Sequence, residues 1–158
     1  MSQSAEVQSL IEDIAYLAHE LEALKGVIEA VPYQERPPGT VSILDMIARL
    51  REQQEAYYQP LIERTLTGAS TADLKPVDES YTEENQDAEQ VLNSVIEKRN
   101  SYTAYLKSIS SEQWNNSTDS TGSVIDIVKD HILFDRSLMK EIAEIVLTLD
   151  KSRSTPQH

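Results

Sequence analysis

The side chains best spaced for chemistry lie near the end of the chain. His131 and Asp135 stand four residues apart, so on a helix they share one face. One nitrogen and one oxygen donor at that spacing could grip a divalent cation, with His19 from the first helix as a third ligand. Asp130 adds a carboxylate beside the pair. The competing reading is plainer: a single histidine near an apolar face commonly serves as a hydrogen-bonded interior residue. Tyr16, Tyr33, Tyr57, Tyr58, Tyr81, Tyr102 and Tyr105, with Trp114, could line a small-molecule pocket, or pack the edge of a core with their hydroxyls in water. The acidic pairs Glu12-Asp13 and Glu83-Glu84 read as solvated helix faces. There is no cysteine, which excludes disulfides, thiolate metal sites and thiol nucleophiles. No Gly-rich phosphate loop or hydrolase nucleophile motif is found.

These residues must be positioned by helices. Val7, Leu10, Ile14, Leu17, Leu21, Leu24, Ile28 and Val31 alternate spacings of three and four, which draws one apolar stripe along a first helix ending at Pro32. The stripe covers about 25 residues, roughly 37 Å at ~1.5 Å per residue, and needs partners of similar length. Pro37-Pro38-Gly39 punctuates the connector that follows. Ser42 and Asp45 resemble a capping box opening a second helix that buries Ile43, Met46, Ile47, Leu50, Tyr57, Leu61 and Leu66. Pro60 should kink or split it. Thr67 to Tyr81 reads as a polar loop long enough to cross the bundle or cover one end. Ser80 and Glu83 suggest a further capping box, with a third helix from about Thr82 to Ile109. Ser110 to Trp114 reads as a cap and short turn. A fourth helix spans about Ser123 to Leu149, its stripe of Ile125, Val128, Ile132, Met139, Ile142, Val146 and Leu149 interrupted by one charge, Asp135. Residues 1–150 thus form one domain and 151–158 a disordered polar tail.

Composition narrows the partners. A chain of 158 residues fits one domain with a proper core, and four glycines suit long helices better than a many-turned sandwich. The formal net charge of −13 repels phosphate backbones and anionic lipid, so neither nucleic acid nor membrane is expected. No apolar run approaches the ~20 residues of a membrane span, and the first residues lack the build of a signal peptide, so a cytoplasmic protein is the simplest expectation.

The order of these parts resembles the DinB/YfiT-like superfamily. Gly39-Thr40-Val41-Ser42-Ile43-Leu44-Asp45-Met46-Ile47-Ala48-Arg49-Leu50 is similar to that family's opening of helix 2. Leu106 to Trp114 is similar to its end of helix 3, and Gly122 to Ile142, with Asp135 and Glu141-Ile142, to its last helix. The resemblance implies an all-α four-helix bundle with a long crossover between helices 2 and 3. It also implies a divalent metal, zinc or nickel, held by three histidines, and metal-dependent transferase or hydrolase chemistry. The matching positions here are Arg49, Phe134 and Leu138, none of which can ligate a metal. The expectation is therefore a metal-free member that binds a small-molecule ligand or a protein partner in the degenerate cavity. The alternatives are a metal-dependent enzyme with an atypical site at His131 and Asp135, and a structural homodimer without ligand. Arg49 either snorkels to solvent or pairs with Asp135 or Asp130 where the metal would have been.

Overall fold

The computed structural model describes residues 4–36, 41–118 and 122–154. The chain is all-α: α1 (Ala5–Lys25), α2 (Ile43–Gln53), α3 (Gln59–Thr67), α4 (Ala88–Ser108) and α5 (Val124–Ser154). Two 3-10 turns, Ile28–Ala30 and Gln113–Asn115, and a two-residue antiparallel pairing of Ser117-Thr118 with Gly122-Ser123 complete the elements. Among the described residues no helix is long and apolar enough to cross a membrane. Pro37-Pro38-Gly39 and the last four positions of the expected tail lie outside the described residues. α5 itself continues to Ser154, past the boundary expected at residue 150.

A π-helical turn, Gln54–Tyr58, joins α2 to α3, so the two make one rod. The Pro60 effect appears here. Proline cannot donate to the carbonyl four residues back, and its ring crowds that turn. The chain widens just before it, with the Gln59 amide reaching the Gln54 carbonyl, and helix resumes with proline in its first turn.

Side-chain pairs fix the directions of the four rods. Lys129 pairs with Glu6 and Arg136 with Asp13, so α5 runs parallel to α1. Arg51 donates to Ser94 and Gln54 to the Lys98 carbonyl, so α4 runs parallel to the α2–α3 rod. The start of α1 packs with the end of α4, which makes the two pairs antiparallel. A parallel pair cannot be closed by a tight turn. Residues 68–87 therefore run back along the rod. The Val77 amide donates to Gln53 Oε1 (2.6 Å) and the Glu83 amide to Asp45 Oδ1 (2.8 Å). Asp45 also closes the capping box with Ser42, and its short carboxylate reaches both the cap and the returning strand of chain.

Two further boundaries differ from the sequence reading, while the start of the last helix agrees with it. α1 ends at Lys25, not Pro32, because the chain turns at Gly26 and brings buried Tyr33 back to donate its hydroxyl to the Leu24 carbonyl (3.0 Å). α4 begins at Ala88, not Thr82. Asp87 is its cap, accepting from the Gln90 amide, while Glu83 is drawn instead to Arg51 (2.7 Å) and Ser80 bonds to Asp78. α5 opens at Val124 on a reciprocal Ser123–Asp126 cap.

The interior falls into two apolar clusters. One gathers Leu17, Leu21, Leu44, Leu50, Leu92, Val95, Leu138 and Ile142; the other Val7, Leu10, Ile14, Tyr58, Leu61, Tyr102, Leu106, Trp114 and Val128. Each rod passes from one to the other at the same height, and at three of the four crossings the residue is polar and buried: Gln54, Arg99 and Asp135.

Candidate functional site

The level between the clusters is a closed polar layer centred on Arg99, which is 1 % exposed. α4 brings it inward because residues 92, 95, 99, 102 and 106 share one face of that helix. All five of its N–H groups find acceptors. Nε donates to Gln54 Oε1 (2.7 Å), placed there by the π turn. Nη1 donates to the Ile14 carbonyl (3.1 Å) and to Asp135 Oδ2 (2.6 Å). Nη2 donates to Asp135 Oδ1 (3.2 Å) and faces His131 Nε2 at 3.3 Å. A guanidinium only donates, so Nε2 must present its lone pair and the imidazole proton resides on Nδ1. That Nδ1–H points to the Tyr102 hydroxyl at 3.1 Å. The His131 ring lies flat against Tyr58, centroids 4.1 Å apart at 16°, and the Tyr58 hydroxyl donates to Asp130 Oδ2 (2.8 Å).

The electrostatics follow from this enclosure. Burial pushes the His131 imidazole down from 6.5 to about 3; Asp135 pulls it up and the Arg99 charge pushes it further down. Although His131 Nε2 lies 3.6 Å from Asp135 Oδ1, the ring is neutral and the contact is not an ion pair. Burial, then the Asp130 carboxylate, raise the Tyr58 phenol, so it acts as a donor rather than a phenolate.

A second feature opens on the surface. A cleft of about 560 Å³ lies between α2, the returning segment and α5. Val41, Met46 and Ile145 give it apolar wall; Arg49, Asp78, Glu79, Ser80 and Glu141 give it charge and hydroxyl. The Arg49 guanidinium stacks 5.2 Å over the Phe134 ring, and its Nε is buried with no hydrogen-bond partner. Elsewhere, Leu24, Met139, Ile142, Ala143, Val146 and Leu147 line a shallow apolar groove of about 430 Å³, which offers no polar group for chemistry.

The structure brings His131 and Asp135 together, with Asp130 next to them through Tyr58. It does not bring His19, which is exposed on α1 with its ring centroid 6.4 Å from that of Tyr16. The expected pairing of Arg49 with Asp135 or Asp130 is corrected: Arg99 takes both oxygens of Asp135, and Tyr58 takes Asp130. Arg49 and Phe134 do meet, as a stacked pair, and Leu138 is buried in the cluster on which Phe134 packs. Among the described residues no three His, Asp or Glu side chains converge as a metal site. Sequence reasoning missed Arg99, Gln54 and Tyr102 as partners of His131 and Asp135. The signal was the helix phase of Arg99, on the face of α4 that carries Leu92, Val95, Tyr102 and Leu106.

No protein-family model, curated protein or solved structure matches this chain.

Proposed function

We propose that this chain is a DinB-like four-helix bundle without the family's metal, and that it binds a small organic ligand in the cleft beside Arg49. The observation that carries the reading is the stacking of Arg49 over Phe134. Two of the three positions that the family resemblance assigns to metal ligands form a guanidinium platform on the wall of a ligand-sized cavity. The parallel pairing of the α2–α3 rod with α4, and its long return segment, support the family reading.

The alternative of a metal at His131 and Asp135 is weakened by Arg99. A guanidinium already spans both carboxylate oxygens and faces the lone pair of the imidazole, so an incoming cation would meet a fixed positive charge. Protein incubated with zinc or nickel and then desalted is expected to retain well under one equivalent. Stoichiometric retention that disappears in His131→Ala would overturn the metal-free reading. The binding half is tested by a thermal-shift screen of small organic molecules. Compounds that stabilise the wild type should lose that effect in Arg49→Gln. Hits indifferent to that change would place binding elsewhere.

A further inference from the structure

The cleft beside Arg49 carries charges of both signs that form no direct ion pair. Among the described residues, Arg49, Asp78, Glu79 and Glu141 make no ion pair within 4.0 Å with each other or with any other group. The walls nevertheless belong to one cavity of about 560 Å³, within the range of small-ligand pockets. Arg49 is held in place by Phe134 beneath it, so its free donors are pre-oriented and little freedom remains to be lost on binding. Asp78 is held too: its Oδ1 accepts from the Ser80 amide and hydroxyl, both at 2.7 Å. Those bonds, and then the Arg49 charge, keep its carboxyl below the ordinary range.

Each simple ligand class fails one wall. A plain organic anion satisfies Arg49 but approaches three carboxylates on a chain of net charge −13. A plain amine satisfies the carboxylates but leaves the guanidinium unmatched beside a positive charge. Both demands are met by a molecule with a carboxylate and an ammonium a few ångströms apart. The remaining walls, Val41, Met46 and Ile145, call for an apolar substituent on it.

We propose that the cleft binds a zwitterion, a free α-amino acid or dipeptide with apolar side chains. Its carboxylate lies on Arg49, its ammonium between Asp78 and Glu141, and its side chain against Met46 and Ile145. The proposal rests on the reading of this cleft as the ligand site and names the class of ligand.

The test is calorimetric titration of the full chain at low salt with four probes: L-leucine, leucyl-leucine, leucinamide and N-acetyl-leucine. Leucine or leucyl-leucine should bind saturably. Leucinamide, which lacks the carboxylate, and N-acetyl-leucine, which lacks the ammonium, should each bind at least ~10-fold more weakly. Arg49→Gln should weaken the zwitterion by a similar factor. Asp78→Asn, at an exposed position where folding is not at stake, should do the same. Equal binding of leucinamide or of N-acetyl-leucine overturns the zwitterion and leaves a cation or an anion site in the same cleft. Failure of all four probes also overturns it. The cleft reading itself falls only if the broader screen yields no compound whose effect depends on Arg49.

Discussion

His131 is closed in by Tyr58 on its face, Tyr102 at Nδ1, and Arg99 and Asp135 at Nε2. Burial keeps a second proton off the ring; the Asp135 carboxylate favours one, but burial, with the Arg99 charge, outweighs it. The consequence for stability has a definite sign. The folded-state value, about 3, lies below the ordinary 6.5, so between those limits the unfolded chain binds more protons and acid favours unfolding. Stability should fall by up to ~1.4 kcal/mol per pH unit once pH drops below about 6.5. Glu20 works the other way. Burial, and then Asp135, raise its carboxyl, so its contribution is present at low pH and lost as pH rises through the raised value. Replacing His131 with Gln isolates the imidazole term, since the amide can accept from Arg99 but does not titrate. Urea unfolding at steps from about pH 7 to about pH 5 should show a downward slope in the wild type and a flat or reversed one in His131→Gln. Equal slopes in the two proteins would mean that His131 gains its proton without leaving the fold, and that the layer is wetter than its burial implies.

The ends of the helices depend on two glycines in the left-handed region, and they make different demands. Gly68 closes α3 with φ 75°, and a Cβ there would meet nothing within 4 Å. Gly122 has φ 76°, but a Cβ would lie 2.7 Å from Asp126 Oδ2, the oxygen that accepts from the Ser123 amide and caps α5. Gly68→Ala should therefore cost only the backbone term, ~1 kcal/mol, while Gly122→Ala should add loss of the cap and cost ~2 kcal/mol or more. Denaturant midpoints with unchanged slopes would measure both; equal costs would show that Asp126 swings aside freely. At this scale the sequence was readable wherever one residue decided the matter. The stripe of α1 named Val7, Leu10, Ile14, Leu17 and Leu21, and all are buried. The Ser42–Asp45 cap was legible from two side chains. Reading failed where a distant group decided. The end of α1 depends on Tyr33 folding back, and the start of α4 on Arg51 claiming Glu83. The candidate site divided in the same way. His131 and Asp135 could be paired by spacing within one helix, but Arg99 belongs to another rod, and Gln54 to a π turn that no periodicity announces.

Across the whole molecule the polar layer separates two apolar clusters and ties all four rods at one height. Arg99 on α4 contacts α1 through the Ile14 carbonyl, the α2–α3 rod through Gln54, and α5 through Asp135 and His131. Sliding α4 or α5 by one turn, ~5.4 Å, would set the guanidinium or the carboxylate against aliphatic side chains. Misregistered packings thus carry an unpaired buried charge, and the layer selects one alignment among several that the apolar stripes alone would accept. Stability and alignment should then respond differently to mutation. Arg99→Met strands the Asp135 carboxylate, and Asp135→Leu strands the guanidinium, so each alone should cost ~3–5 kcal/mol. The double variant removes both charges and joins the two clusters into one core, so it should cost far less than the sum, although Gln54 and His131 lose a partner. Its stability could approach that of the wild type while its alignment loosens, seen as broadened amide signals and faster hydrogen exchange at the middle of α4 and α5. Small, additive costs from the two single changes would show that each charge finds water on its own, and the layer would then be a packing detail. Strong coupling with sharp, slowly exchanging signals in the double variant would separate the two roles: the pair would matter for stability, and the apolar stripes would suffice to align the rods.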